Sequence, residues 1–138
     1  MKLYELRREE TMRKARDWFI TFNPSSIQDI INTFTGEHGA YYRMVTTYWD
    51  MAASFVNHDA IDEQMFNDAN LEHIAVFAKV EPFLAEIRAM SKMPQYLVNL
   101  EQLVLRSPNA KEMLADARER MKAITAARGE AANTAKQV

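Results

Sequence analysis

The sequence predicts an all-α protein: a single compact multi-helix bundle of six or seven helices over residues 1–129, with a frayed or disordered tail at 130–138. Three observations carry this reading. Apolar residues recur at spacings of three and four through most of the chain, the period of one helix face. Chain breakers are scarce, 3 Gly and 4 Pro in 138 residues, which leaves little material for the tight turns of sandwiches and barrels. No stretch alternates apolar and polar residues for long enough to read as a strand. The length suffices for one self-supporting core.

Residues 3–22 read as a first helix, with Met12, Ala15, Phe19 and Phe22 on one face and Trp18 beside them. Glu9/Arg13 and Glu10/Lys14 set acid before base at i,i+4, the favourable order on a helix surface. Asn23-Pro24 reads as the cap and first position of a second helix bearing Ile27, Ile30, Ile31 and Phe34. Thr35–Gly39 holds two of the three glycines and reads as a turn. Residues 40–57 give the plainest helix, in which Tyr41, Val45, Tyr48, Ala52 and Phe55 form one stripe beside Tyr42, Trp49 and Val56. A helix so widely apolar must be covered on most sides, so it should be the central element.

His58-Asp59-Ala60 breaks the pattern. Asp62 then suits an N-cap, with Ile61 and Phe66 at the two positions of a hydrophobic staple. Leu71, Ile74, Phe77 and Ala78 carry a further helix to Pro82, which cannot donate to the carbonyl of Ala78 and should kink or break it. Phe83, Leu84, Ile87 and Met90 continue beyond. Met93-Pro94 and Ser107-Pro108 resemble Asn23-Pro24 and should start two more helices. The first carries Leu97, Leu100, Leu103 and Val104. The last carries Leu114, Ala117, Met121 and Ile124 and should stop at Gly129.

Charge and composition exclude several classes. Seventeen Lys plus Arg against nineteen Asp plus Glu leaves −2, which argues against a nucleic-acid partner. The basic residues Arg7, Arg8, Arg13, Lys14 and Arg16 are interleaved with acids, as on a solvated, salt-bridged helix face. Acids and bases at positions 5–10 stand where a signal peptide would be apolar. The longest uncharged run, 18–28, is eleven residues and includes Pro24, well short of the roughly 20 a membrane helix needs. No membrane association and a cytoplasmic location are therefore expected. With no Cys there are no disulfides or thiolate nucleophiles.

Catalytic motifs are missing from the pattern as well. There is no G-x-G-x-x-G or Walker-type loop, no G-x-S-x-G elbow and no H-E-x-x-H. No histidine sits in a Glu-x-x-His pair of the di-iron bundle type. One polar concentration, His58, Asp59, Asp62, Glu63, Asp68, Glu72 and His73, has the residue types of a mixed oxygen–imidazole metal site. Capping and first-turn acids account for it more simply. The sequence thus assigns no catalytic residue, no cofactor and no metal ligand.

The aromatic stripe remains. Tyr and Trp carry polar tips that suit half-buried positions, so Tyr41, Tyr42, Tyr48, Trp49 and Phe55 are the candidate interface or pocket residues. Tyr48-Trp49-x-x-Ala52-Ala53, Ile61-Asp62-Glu63-x-Met65-Phe66 and Phe77-x-x-x-x-Pro82-Phe83-x-x-x-Ile87-Arg88 resemble a family of small bacterial helical proteins known as a domain of unknown function. The resemblance covers about residues 40–90. It implies an all-helical domain and supplies no catalytic residues.

The leading expectation is a non-enzymatic helical interaction module, a scaffold or regulatory protein that forms a homodimer or binds a protein partner. Its contact face would be part of the Tyr41–Phe55 stripe or the stripe at 114–124. The first alternative is a regulatory domain that binds a small molecule in an aromatic pocket between helices. The second is a metal-dependent enzyme using the His58–His73 acidic region, which requires those two histidines to converge.

Overall fold

The helical stretches expected from the sequence are all helical, and two of them are each divided. The computed structural model describes residues 2–136. In chain order they form α1 Lys2–Arg8, α2 Glu10–Thr21, α3 Ile27–Thr35, α4 Gly39–Asn57, α5 Glu63–Ala69, α6 Glu72–Val80, α7 Leu84–Ser91, α8 Val98–Leu105 and α9 Ala110–Lys136. A 3-10 turn, Glu81–Phe83, lies between α6 and α7. No strand occurs among the described residues.

Both divisions have local causes. The stretch at 3–22 is not one helix, because Glu9 adopts an extended conformation (φ −60°, ψ 143°) and caps α2. Its carboxylate accepts from the amides of Thr11 at 3.0 Å and Met12 at 2.9 Å. These two bonds hold its pKa below the ordinary carboxylate value. At the second division Pro82 breaks the helix as expected, and the chain passes through the 3-10 turn before α7 resumes.

The prolines at 24, 94 and 108 precede their helices by more than the sequence suggests. Asn23 does not cap; its amide donates to Thr125 Oγ1 at 2.7 Å, and Ser26 caps α3 with Asp29 reaching back to Ser25. After Pro94 the chain turns until Leu97, which is left-handed (φ 55°), and α8 starts at Val98. No side chain of its own caps it. Asp50 of α4 does so from across the core, accepting from the Leu100 amide at 2.9 Å. Ser107 accepts the Ala110 amide with its carbonyl at 3.1 Å, so the last helix begins beyond Pro108. Gly129 does not stop that helix. Apart from the adjoining backbone of its own helix, no atom of the described residues lies within 4 Å of where its Cβ would be, and the expected frayed tail is helical as far as Lys136. Gly39 by contrast is required by packing, since a Cβ there would meet the Phe34 carbonyl oxygen at 2.6 Å.

The core forms around α4. On its sides pack α2, α3 and α8, while α6 lies between α4 and α9. Trp49, Tyr42, Phe77, Ile30 and Leu100 are among the largest fully buried side chains, each contributing roughly 1.5–3 kcal/mol of transfer free energy. Leu114 and Ala117 of α9 are buried against this core, whereas Met121 and Ile124 farther along the same stripe are half-buried. Asp62 caps α5, accepting from the Met65 amide at 2.9 Å, with Ile61 and Phe66 packed into the same cluster. Arg88 pairs with Glu101 at 3.0 Å, and Glu81 meets Arg118 of α9 at 3.6 Å. No helix among the described residues is long and apolar enough to cross a membrane.

Candidate functional site

The five aromatic residues singled out on α4 do not share a surface. Tyr42 and Trp49 are 0% and 1% exposed and belong to the core. The reason is the covering of α4 by α2, α6 and α8, which leaves no broad face of it in water. Tyr42 accepts a hydrogen bond from the Tyr96 hydroxyl at 3.0 Å, and burial raises its own pKa far above the ordinary phenol value. Tyr41 is half-buried in a ring cluster with Trp18 and His38, and those two rings stack 5.0 Å apart. Phe55 is exposed. Tyr48 donates to the Leu3 carbonyl at 2.8 Å and, with Trp49, walls a pocket.

That pocket, about 250 Å³, lies between α1, α4 and α5. Leu3, Tyr48, Trp49, Ile61 and Phe66 form its walls, with Met65 and Ala69 at its edge. Its polar groups are Arg7 and Asn70, joined by a 2.8 Å hydrogen bond. The local sequence explains the shape. The Ile61–Phe66 staple swings α5 against Trp49, and the break at Glu9 turns α1 back over Tyr48.

Behind Trp49 runs a polar network that sequence spacing does not announce. Glu72 accepts from Arg16 Nε at 2.9 Å and Nη2 at 2.7 Å, and from the Trp49 indole N–H at 2.9 Å. Arg16 also donates to the Arg7 carbonyl at 3.3 Å. Arg16 is therefore not a solvated surface charge. Its guanidinium is held above its usual pKa first by the hydrogen bonds to Glu72. Next along α6, His73 is 1% exposed between the Trp49 and Phe66 rings, and its Nδ1 lacks a hydrogen-bond partner among the described residues.

A second cavity, about 200 Å³, opens between α2, α6 and α9. Phe19, Val76 and Met121 supply apolar walls, and Arg16, Glu72, Lys79 and Arg120 supply charge. Lys79 is only 4% exposed. Its ammonium donates to the carbonyls of Phe19 and of Ile20, the latter at 2.9 Å, at the C-terminal end of α2. Burial draws its pKa down to about 8, opposed by the Glu72 charge.

The acidic region of the sequence is dispersed. His58 is exposed at the end of α4, with Nδ1 2.8 Å from the Ser54 carbonyl, whereas His73 is in the core. Asp62 caps α5, Glu63 pairs with Arg106 at 2.8 Å, and Asp68 accepts from Gln64. No group of three or more His, Asp or Glu side chains among the described residues could hold one metal ion.

No curated protein and no solved structure matches the chain. A family model described as a domain of unknown function matches residues 1–107, a span that takes in α1 to α8 and every wall of the aromatic pocket. The resemblance carried by residues 40–90 is thus one part of a match over most of the chain. The second cavity is only partly included, because Arg120 and Met121 lie beyond the match. With a match of that extent over an all-helical fold, the chain belongs to the DUF4760 family.

Proposed function

We propose that the protein is a non-enzymatic helical binding module that takes a small apolar group in the pocket between α1, α4 and α5. The observation that supports this is the pocket's make-up: ring and aliphatic walls, with Arg7 and Asn70 as its polar groups. Ligand pockets are built this way, with mostly apolar lining and a few placed polar groups that fix orientation. The lining contains no nucleophile beside a base, so its chemistry suits recognition rather than turnover.

Trp49 provides the test. In a Trp18→Phe background Trp49 is the remaining tryptophan, and titration with benzyl alcohol should give a saturable change in its emission. Ala69→Phe, which places a ring at the exposed edge of the pocket, should abolish that change without unfolding the protein. A flat titration up to millimolar probe, or one that Ala69→Phe leaves unchanged, rules the reading out.

A second reading, homodimer formation, is supported by a groove beside the pocket lined by Leu6, Met12, Met44 and Met51. Leu6 is 49% exposed, and methionines adapt readily to a packed partner. Size-exclusion chromatography with light scattering should then give twice 16.0 kDa at micromolar concentration, and a clean monomer removes this reading.

A further inference from the structure

We infer that the cavity between α2, α6 and α9 is a second binding site, for a small anionic amphiphile: a short unbranched aliphatic chain ending in a carboxylate. Three observations converge on that ligand class: size, lining and charge.

The cavity measures about 200 Å³. This exceeds by more than tenfold the roughly 10–15 Å³ a single water needs, yet falls below the roughly 300–1,000 Å³ of drug-sized sites. A short aliphatic chain is within that size. Phe19, Ala75, Val76 and Met121 provide the apolar surface such a chain would cover.

The charges are unbalanced in favour of an anion. Glu72, the cavity's one carboxylate, is already engaged by Arg16 and Trp49. That leaves Lys79 and Arg120. Two of the three Lys79 N–H groups go to α2 carbonyls, and Arg120 makes no ion pair among the described residues. Closing the end of α2 explains why a lysine stands at this point. It does not explain a cavity beside the ammonium, nor a second cation on the facing helix. Burial depresses the pKa of Lys79, and the charge of Glu72, itself bonded to Arg16, offsets that only in part. A ligand carboxylate would supply further negative charge, and its chain would remove apolar wall from water.

The test uses the full chain with octanoate, and octylamine and acetate as controls, read by calorimetry and by backbone amide NMR shifts. Octanoate should bind saturably and shift the amides of Ala75, Lys79 and Met121. Acetate lacks the chain and octylamine carries the wrong charge, so both should bind at least about tenfold more weakly. Arg120→Glu, an exposed change that spares the core, should cut octanoate affinity by about tenfold or more, and Arg120→Lys should restore most of it. Lys79→Met gives an independent check if it folds. The inference fails if octanoate does not saturate, if octylamine binds equally well, or if the shifts centre on Leu3, Ile61 and Phe66 instead. It fails equally if Arg120→Glu changes nothing.

Discussion

Acidification should destabilise the protein through His73. The ring lies 4.9 Å from Phe66 and 5.8 Å from Trp49, with 1% of the residue exposed and Nδ1 unbonded among the described residues. Protonating it would place a cation in this dry setting. Desolvation therefore lowers its pKa from 6.5 to about 4, against a smaller opposing pull from Glu72. Between those values the unfolded chain binds the proton and the native state does not. Stability is then full above pH 6.5, falls as the pH drops toward 4, and levels off below. At pH 5 the offset is about 1.5 pH units at roughly 1.4 kcal/mol each, or about 2 kcal/mol. Urea titrations at pH 7.5, 6, 5 and 4.5 on the native chain and on His73→Leu measure it, because carboxylate effects common to both cancel in the difference. His73→Leu also removes an unsatisfied buried nitrogen, so it should stay within about 1 kcal/mol of the native chain at pH 7.5. At pH 5 it should be the more stable of the two by about 1–3 kcal/mol. A stability difference that stays flat from pH 7.5 to 4.5 would falsify the argument, as would an NMR titration placing the His73 pKa near 6.5.

Other substitutions probe the rest of the frame. Glu72→Gln weakens the charged bonds to Arg16 and the bond to the Trp49 indole; stability should drop by about 1.5–3 kcal/mol with a shift in Trp49 emission, both read in one thermal melt. Asp50→Ala should cost about 1–2 kcal/mol by uncapping α8, whereas Asp50→Asn, still an acceptor for the Leu100 amide, should cost less; chemical denaturation separates them. Gly129→Ala should stabilise by up to about 1 kcal/mol, because the position is helical and open. Gly39→Ala should do the opposite, since its Cβ would strike the Phe34 carbonyl, and differential scanning calorimetry on both variants checks the contrast.

Interactions that close over a few residues were legible in the sequence, and those that cross the core were not. Asp62 and the Ile61–Phe66 staple act within one turn, and α4 declares itself by repeating apolar positions. Glu9 misled because a carboxylate on a longer arm can cap, though Ser, Thr, Asp and Asn are the usual caps. Pro94 misled for a different reason: the group that fixes the start of α8 is Asp50, 50 positions from the amide it accepts. Arg16 and Glu72 stand 56 positions apart, so nothing in their spacing marks them as partners. Lys79 did leave a trace. It interrupts Ala75–Val80, a run otherwise apolar all round, and a helix that must be buried on every side has to bury its charge too.

Glu72 has one further consequence. Its carboxylate holds the back of Trp49, a wall of the aromatic pocket, and also Arg16, a wall of the cavity beside α9. Glu72 therefore ties a wall of one chamber to a wall of the other. A guest that tilts the indole in one would shift the Glu72 carboxylate and, through it, Arg16 in the other. Two such occupants would not be energetically independent. By thermodynamic linkage, whatever factor the first applies to the second's affinity, the second must apply to the first's.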